Sequence, residues 1–267
     1  MDIENSRLTQ HEYRALAHFG ERITPKLIVV HYTAGGSLDS SYRALDNAGL
    51  SAHILLGRDG ELVQLVDFNR RAFHAGQSSW RGLGSLNSHS IGIEVCNYGW
   101  LLPRGDGNFV RAGQTPVFGP EEVIVATHKN GSPRQAGWEI YPAEQLEVLR
   151  ALCRRLLDEY PSIREIVGHD DISPGRKQDP GPAMPMASLQ LLTERGGIND
   201  GFRTYEVTAR NGLRLRGGPG TEHDTVGVLR FGQRVRVIND EALWYQVDLQ
   251  GNGVTDGFSH SGFMRVA

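Results

Sequence analysis

Leu27-Ile28-Val29-Val30-His31-Tyr32 (LIVVHY) is the segment from which the fold can be read. It is apolar and rich in β-branched residues, with Pro25 just upstream, and it reads as a buried strand that ends on an imidazole. Downstream, residues 52–57 and 61–66 are two apolar runs separated by Arg58-Asp59-Gly60, a turn signal that pairs them as a hairpin. Ile91 to Asn97 (IGIEVCN) is a further strand. Leu146, Leu149, Leu152, Cys153, Leu156, Leu157 and Tyr160 recur at helical spacing behind Pro142, which predicts a helix over 142–160, and residues 163–168 return as a strand. Strands alternating with helices indicate an α/β domain over residues 1–197. Upstream of LIVVHY, the spacing of Leu8, Tyr13, Leu16, Ala17 and Phe19 predicts a short amphipathic helix. From about 99 to 138 the chain is rich in Gly and Pro with weak periodicity, which predicts a long insertion loop at the edge of the fold.

After Gly196-Gly197 the pattern changes to short β-rich runs punctuated by Gly, Asn and Asp. Residues 203–267 therefore read as a second, all-β domain, small enough to be a barrel.

Composition narrows the function. A formal net charge of -3, with 22% charged and 39% hydrophobic residues, describes a globular chain without the excess positive charge that nucleic acid requires. No segment approaches a membrane span, and the N-terminus lacks the apolar run of a signal peptide, so the chain reads as cytoplasmic when made. Reaching a cell wall would then require lysis, damage or a dedicated secretion route. Cys96 and Cys153 lack C-x-x-C spacing and read as buried thiols. Oligomeric state is not encoded in any feature of the sequence.

Chemistry concentrates in HDDISPGRKQDPGP, His169 to Pro182, directly behind a predicted strand. It sets an imidazole at a strand end and a carboxylate, Asp179, ten positions later on a loop stiffened by Pro174, Pro180 and Pro182. If that strand neighbours LIVVHY, then His31, His169 and Asp179 converge. Two His and a carboxylate with an open fourth position form the ligand set of a catalytic zinc. Taken singly, His31 reads as a hydrogen-bonded or surface residue, Asp179 as the start of an Asp-Pro-Gly turn, and Asp171 as an acceptor that orders the loop.

VVHYTAG, SAHILLGRDGELVQLV, FHAG, SIGIEV and HDDISPGRKQDPGP occur in this order along the chain. Together they resemble the zinc-dependent N-acetylmuramoyl-L-alanine amidases, a family related to amidase-type phage lysozymes and peptidoglycan recognition proteins. The resemblance covers about residues 25 to 195, with the insertion as its main departure. It implies a mixed β-sheet flanked by helices, and one Zn2+ per chain on His31, His169 and Asp179. Glu94 is implied as the catalytic carboxylate and Lys177 as a cation beside the reacting carbonyl. The reaction implied is hydrolysis of the amide between N-acetylmuramic acid and L-alanine. The residue types suit it: an amide needs its carbonyl polarised, its nucleophile deprotonated and its leaving nitrogen protonated. Alternatives stand beside each role. Glu94 can be a paired carboxylate on a sheet face, and Lys177 a solvated loop charge. His53 and His74 either face substrate or make structural hydrogen bonds. His11, His18, His89, His128, His223 and His260 read as surface positions.

The C-terminal run LRLRGGPGTEHDTVGVLRFGQRVRVI, then WYQVDL and GFSHSGFMRV, resembles bacterial SH3-like domains. That resemblance implies a small barrel that binds cell-wall peptide, with Trp244, Tyr245 and Phe258 as an aromatic groove or, alternatively, as core. The partners expected are peptidoglycan or muropeptides, with neither nucleic acid nor membrane. A wall-degrading or remodelling hydrolase, such as a phage lysin or an antibacterial effector, is the leading expectation. A cytoplasmic amidase that recycles soluble muropeptides and a non-catalytic peptidoglycan binder are the alternatives.

Overall fold

The computed structural model describes residues 1–112, 115–193, 203–240, 243–249 and 255–267. The chain divides into two compact units, Met1–Ala183 and Met184–Ala267.

The first unit is built on a mixed sheet of six strands: β1 (Glu12–Tyr13), β2 (Leu27–Tyr32), β3 (Ile54–Leu56), β4 (Leu62–Gln64), β5 (Ser90–Val95) and β11 (Glu165–Gly168), in the order β11-β2-β5-β3-β4-β1. β2 is parallel to both β5 and β11, β5 is parallel to β3, and β3 and β4 form the antiparallel hairpin read from Arg58-Asp59-Gly60. Four successive residues of β2, Leu27 to Val30, are buried, as expected for a strand covered on both faces. Leu27 and Val29 pack with Ala75, Leu86, Val167 and Ile172. Helix α1 (Leu38–Asn47) starts at the Ser37 side chain, which accepts from the Ser40 N–H. Helix α2 (Ala143–Glu159) buries Leu146, Leu149, Leu152, Cys153, Leu156 and Leu157 along one stripe. Both cysteines are buried free thiols, and burial pushes Cys153 up to about 12.

Two expectations fail here. The N-terminal segment is not a helix. Leu8 lies on a short strand paired antiparallel with residues 3–4, and Tyr13 and Leu16 lie on extended chain whose backbone hydrogen bonds go to β4 and the residue after it: Arg14 N–H to Gln64 C=O and Leu16 N–H to Leu65 C=O. The buried Gln64 side chain holds the same segment, accepting from Leu8 N–H at 2.8 Å and donating to Ser6 C=O at 3.0 Å. An unpaired sheet edge thus outweighs a weak helical period.

The insertion is also not an irregular loop. It forms its own antiparallel sheet from β6 (Trp100–Pro103), β7 (Phe109–Val110), β8 (Val117–Phe118), β9 (Val123–Ala126) and β10 (Ala136–Glu139), ordered β8-β7-β6-β10-β9. Its core is Leu101, Phe118 and Val123, with Tyr98 and Phe109 against them. Strands this short give alternation no length over which to show.

The second unit is a seven-stranded antiparallel sheet of β12 (Arg203–Val207), β13 (Leu213–Arg216), β14 (Thr225–Leu229), β15 (Arg234–Asn239), β16 (Trp244–Asp248), β17 (Gly257–His260) and β18 (Met264–Val266). The boundary expected at Gly196-Gly197 lies outside the described residues. Helix α4 (Met186–Gln190), expected with the first domain, belongs to this unit: Ala187 and Leu191 are in the core with Tyr205, Val207, Leu215, Tyr245 and Val247.

Candidate active site

Strand register assembles the site. In the parallel pair β2–β5, His31 stands opposite Glu94; in β2–β11, Gly168 stands opposite Val30, so His169 follows at the level of His31. All three side chains therefore leave the carboxyl ends of parallel strands, where open α/β sheets place their sites. His169 begins the short helix α3 (His169–Ile172), and the loop behind it returns so that Asp179 C=O accepts from Asp170 N–H at 2.8 Å. Asp171 orders that loop, its carboxylate accepting from Gly168 N–H at 2.8 Å.

The result is a compact triad. His31 Nδ1 is 2.8 Å from His169 Nδ1 and 3.0 Å from Asp179 Oδ2, and His169 Nδ1 is 2.9 Å from the same oxygen. All three residues are buried. The outer ring nitrogens decide the tautomers. His169 Nε2 faces Ala75 C=O at 3.1 Å, so in the neutral ring the proton sits there. Ser90 Oγ donates to Leu86 C=O at 2.6 Å and can then accept from His74 Nε2 at 3.3 Å. This leaves His74 Nδ1 to accept from His31 Nε2 at 3.0 Å. Neutral His31 and His169 thus both turn an Nδ1 lone pair toward the Asp179 carboxylate. Burial, then the neighbouring His169, lowers His31 to about 4. Burial opposes the charge of Asp179, but its two imidazole partners outweigh that and hold it well below the usual carboxylate range. Three electron-pair donors so close together need at least one proton among them, or a cation that satisfies all three. His31, His169 and Asp179 are the group of described residues that could hold a metal ion, and each histidine has the outer hydrogen bond typical of a ligand.

Glu94 adjoins the triad, with Oε1 3.9 Å from His31 Nδ1. Burial, then the charge of Asp179, pushes its carboxyl well above the usual range, whereas the Lys177 ammonium opposes that rise at Glu94 and adds to the lowering at His31. Lys177 is half-buried in the loop before Asp179.

His74 supports His31 directly, and Gly92 makes room for it: a Cβ at 92 would run into the His74 ring. Of the two roles open to His53, the structural one matches its placement. Its ring is fully buried, accepting from Gly92 N–H at 3.0 Å and facing Arg70 C=O at 2.8 Å. Arg176 escaped notice in the sequence. Its guanidinium donates to Ala75 C=O, Gln77 C=O and Ser173 Oγ, and so fixes the carbonyl that His169 also uses. Position beside Lys177 in a loop rich in site residues was the available signal. His128 and His260, expected at the surface, are both buried.

In the second unit, Tyr245 does not line a groove. It is fully buried, and its ring packs 4.8 Å from that of Tyr205. Trp244 and Phe258 are half-buried. Register sets Phe258 opposite both Arg216 and Gln246, with Trp244 two residues before Gln246, so Arg216, Trp244 and Phe258 share the face opposite Tyr245. The Arg216 guanidinium lies 5.9 Å from the Trp244 ring centroid.

Sheet topology and donor cluster together define an α/β protein with a candidate hydrolytic metal centre. Residues 21–182, more than half of the chain, match the N-acetylmuramoyl-L-alanine amidase family, and residues 211–265 match the bacterial SH3 domain. The chain belongs to the N-acetylmuramoyl-L-alanine amidase family. Among curated relatives, the 1,6-anhydro-N-acetylmuramyl-L-alanine amidase AmpD of Escherichia coli K12 is 31% identical over 192 residues, covering 64% of this chain and 84% of AmpD. N-acetylmuramoyl-L-alanine amidase AmiD of the same organism is 31% identical over 224 residues, covering 79% and 67%. Among solved structures, AmiD in complex with anhydro-N-acetylmuramic acid-L-Ala-D-gamma-Glu-L-Lys aligns with a TM-score of 0.48 and 28% identity, over 71% of this chain and 62% of that one. No helix among the described residues is long and apolar enough to cross a membrane.

Proposed function

We propose that the chain hydrolyses the amide between N-acetylmuramic acid and L-alanine in bacterial peptidoglycan, with zinc held by His31, His169 and Asp179. The observation that carries this reading is the convergence of three buried donor atoms within 2.8–3.0 Å, beside a buried glutamate, in a chain of this family. When bound, zinc supplies Lewis acidity toward the amide carbonyl and toward water. The raised Glu94 carboxyl suits a group that takes the proton of the attacking water and passes it to the departing alanine nitrogen. Lys177 offers the positive charge for the oxyanion that develops on the carbonyl. His74 and the Ala75 carbonyl orient the two imidazoles.

The second unit supports action on the polymeric wall, in a lytic or remodelling role. Its face of Arg216, Trp244 and Phe258 combines a cation with apolar rings, a combination suited to wall peptide, and tethering there raises the local concentration of insoluble substrate. Similarity to AmpD favours a second reading, cleavage of 1,6-anhydro-muramyl peptides. One experiment addresses both. Metal content and release of peptides beginning with a free L-alanine amine are measured on intact sacculi and on a soluble anhydro-muramyl tripeptide, before and after chelation. We expect about one zinc per chain, loss of release on chelation and recovery with zinc. Full activity in metal-free protein overturns the metal assignment, and release of other termini overturns the bond assignment. The ratio of the two rates selects polymer or fragment.

A further inference from the structure

The insertion grips the loop that carries His169 and Asp179 at groups the proposed reaction does not use. His128, just beyond β9, is buried; its Nδ1 accepts from Asn130 N–H at 3.1 Å, which leaves the ring proton on Nε2. That Nε2–H donates to Asp170 Oδ2 at 3.0 Å. The Lys129 ammonium lies 2.8 Å from Asp170 Oδ1 and 2.6 Å from Asp171 Oδ1, and the Asn130 side chain donates to Asp170 C=O at 3.2 Å. Asp170 is thus held through both carboxylate oxygens and its carbonyl, while its own N–H donates to Asp179 C=O at 2.8 Å. It follows one candidate ligand in sequence and hydrogen-bonds the backbone of another. The insertion touches the loop again on either side of Asp179: before it, Gln178 Nε2 donates to Ser132 C=O at 3.3 Å, and beyond it the Trp138 ring lies where a Cβ at Gly181 would come within 2.6 Å.

We infer that His128 is a positioning residue for the metal ligands: acting through Asp170, it fixes the separation of His169 and Asp179, and this makes the insertion part of the site. A buried carboxylate is tolerated only while its partners remain. Without the His128 donor, Asp170 has to turn toward another partner, and its backbone bond to Asp179 moves with it. Ligand donors tolerate only about 0.5 Å of drift before the site loosens. The inference rests on the metal assignment proposed above.

The test is zinc affinity of the full chain, measured by competition with a chromophoric chelator. His128→Ala should weaken zinc binding by roughly 10–100-fold, the usual cost of losing an outer-shell partner. His128→Gln, whose amide N–H can reach the same carboxylate, should restore most of it. Phe118→Ala, in the insertion's own core, should lower stability but leave zinc affinity unchanged. Equal affinity in wild type and His128→Ala overturns the inference, as does an equal loss in Phe118→Ala. If His128→Ala does not fold, Lys129→Ala reports on the same clamp and should weaken zinc in the same direction; no change overturns it. Failure of the metal assignment looks different: wild type then holds no zinc, or His31→Ala holds it as tightly as wild type.

Discussion

His31 and His169 in the first unit and His260 in the second are all enclosed by protein, but their ring nitrogens meet different surroundings. In His31 and His169 every ring nitrogen has a neighbour, and the inner ones are lone pairs aimed at one another and at a carboxylate, 2.8–3.0 Å apart. In the second unit, His260 Nδ1 accepts from Gly262 N–H at 3.1 Å, while Nε2 has no hydrogen-bond partner among the described residues. Its ring is flanked by Trp244 at 5.4 Å and Phe263 at 5.6 Å. Burying a polar group without a partner costs free energy. At the triad a cation can offset the cost, which makes the arrangement a candidate metal site. At His260 the cost stays in the fold, and the arrangement becomes a sensitivity to acid.

The largest expected effect breaks the triad. His31→Ala, His169→Ala or Asp179→Ala should lose bound zinc and turnover together, by more than the roughly 10–100-fold that an outer-shell loss costs. Metal analysis and rate measured on the same sample check this, and a variant that keeps both removes that residue from the ligand set. Glu94→Gln separates chemistry from coordination. Turnover should fall by roughly 10²- to 10⁴-fold with zinc retained, because the amide keeps the shape but cannot accept a proton. Loss of zinc would instead make Glu94 a ligand. Lys177→Ala should slow the reaction by roughly 10²- to 10³-fold if its charge meets the oxyanion; an unchanged rate places that cation in solvent.

The last prediction, felt only in acid, sharpens the other side of the comparison. Burial lowers His260 from 6.5 to about 3, so the folded unit keeps this ring neutral while the unfolded chain protonates it below about 6.5. Its contribution to stability is complete above that pH and is lost as pH falls toward about 3, at roughly 1.4 kcal/mol per unit. His260→Asn keeps an acceptor for Gly262 N–H but cannot titrate. Hydrogen exchange in β16 and β17, compared between wild type and variant at each pH, should show protection falling more steeply with acid in the wild type. Parallel pH profiles would mean that His260 does not titrate on unfolding of this unit.

Much of the first unit was legible in the sequence because its signals are local. Leu27 to Val30 is continuous and apolar, the α2 leucines repeat at helical spacing, and Arg58-Asp59-Gly60 marks one hairpin. The candidate ligands stand in motifs at strand ends, so their convergence required only that β2 and β11 be neighbours. Tyr245 and Trp244 were less legible. Adjacent residues on a strand face opposite ways, and the sequence does not say which face is covered; the core containing Tyr205 and Val247 takes Tyr245.

The sequence by itself determined the residue types of the site, their order along the chain, and the alternation of strand and helix that brings His31, Glu94 and His169 to one end of a sheet. Tertiary structure alone decided that residues 12–13 pair with the edge of β4, that the Gly- and Pro-rich insertion is a sheet, and that His128 and His260 are buried. Local periodicity records which face of an element avoids water. The partner that covers that face is set by segments far away in sequence. His128 meets Asp170 across 42 positions, and neither residue carries a mark of the other until the chain has folded.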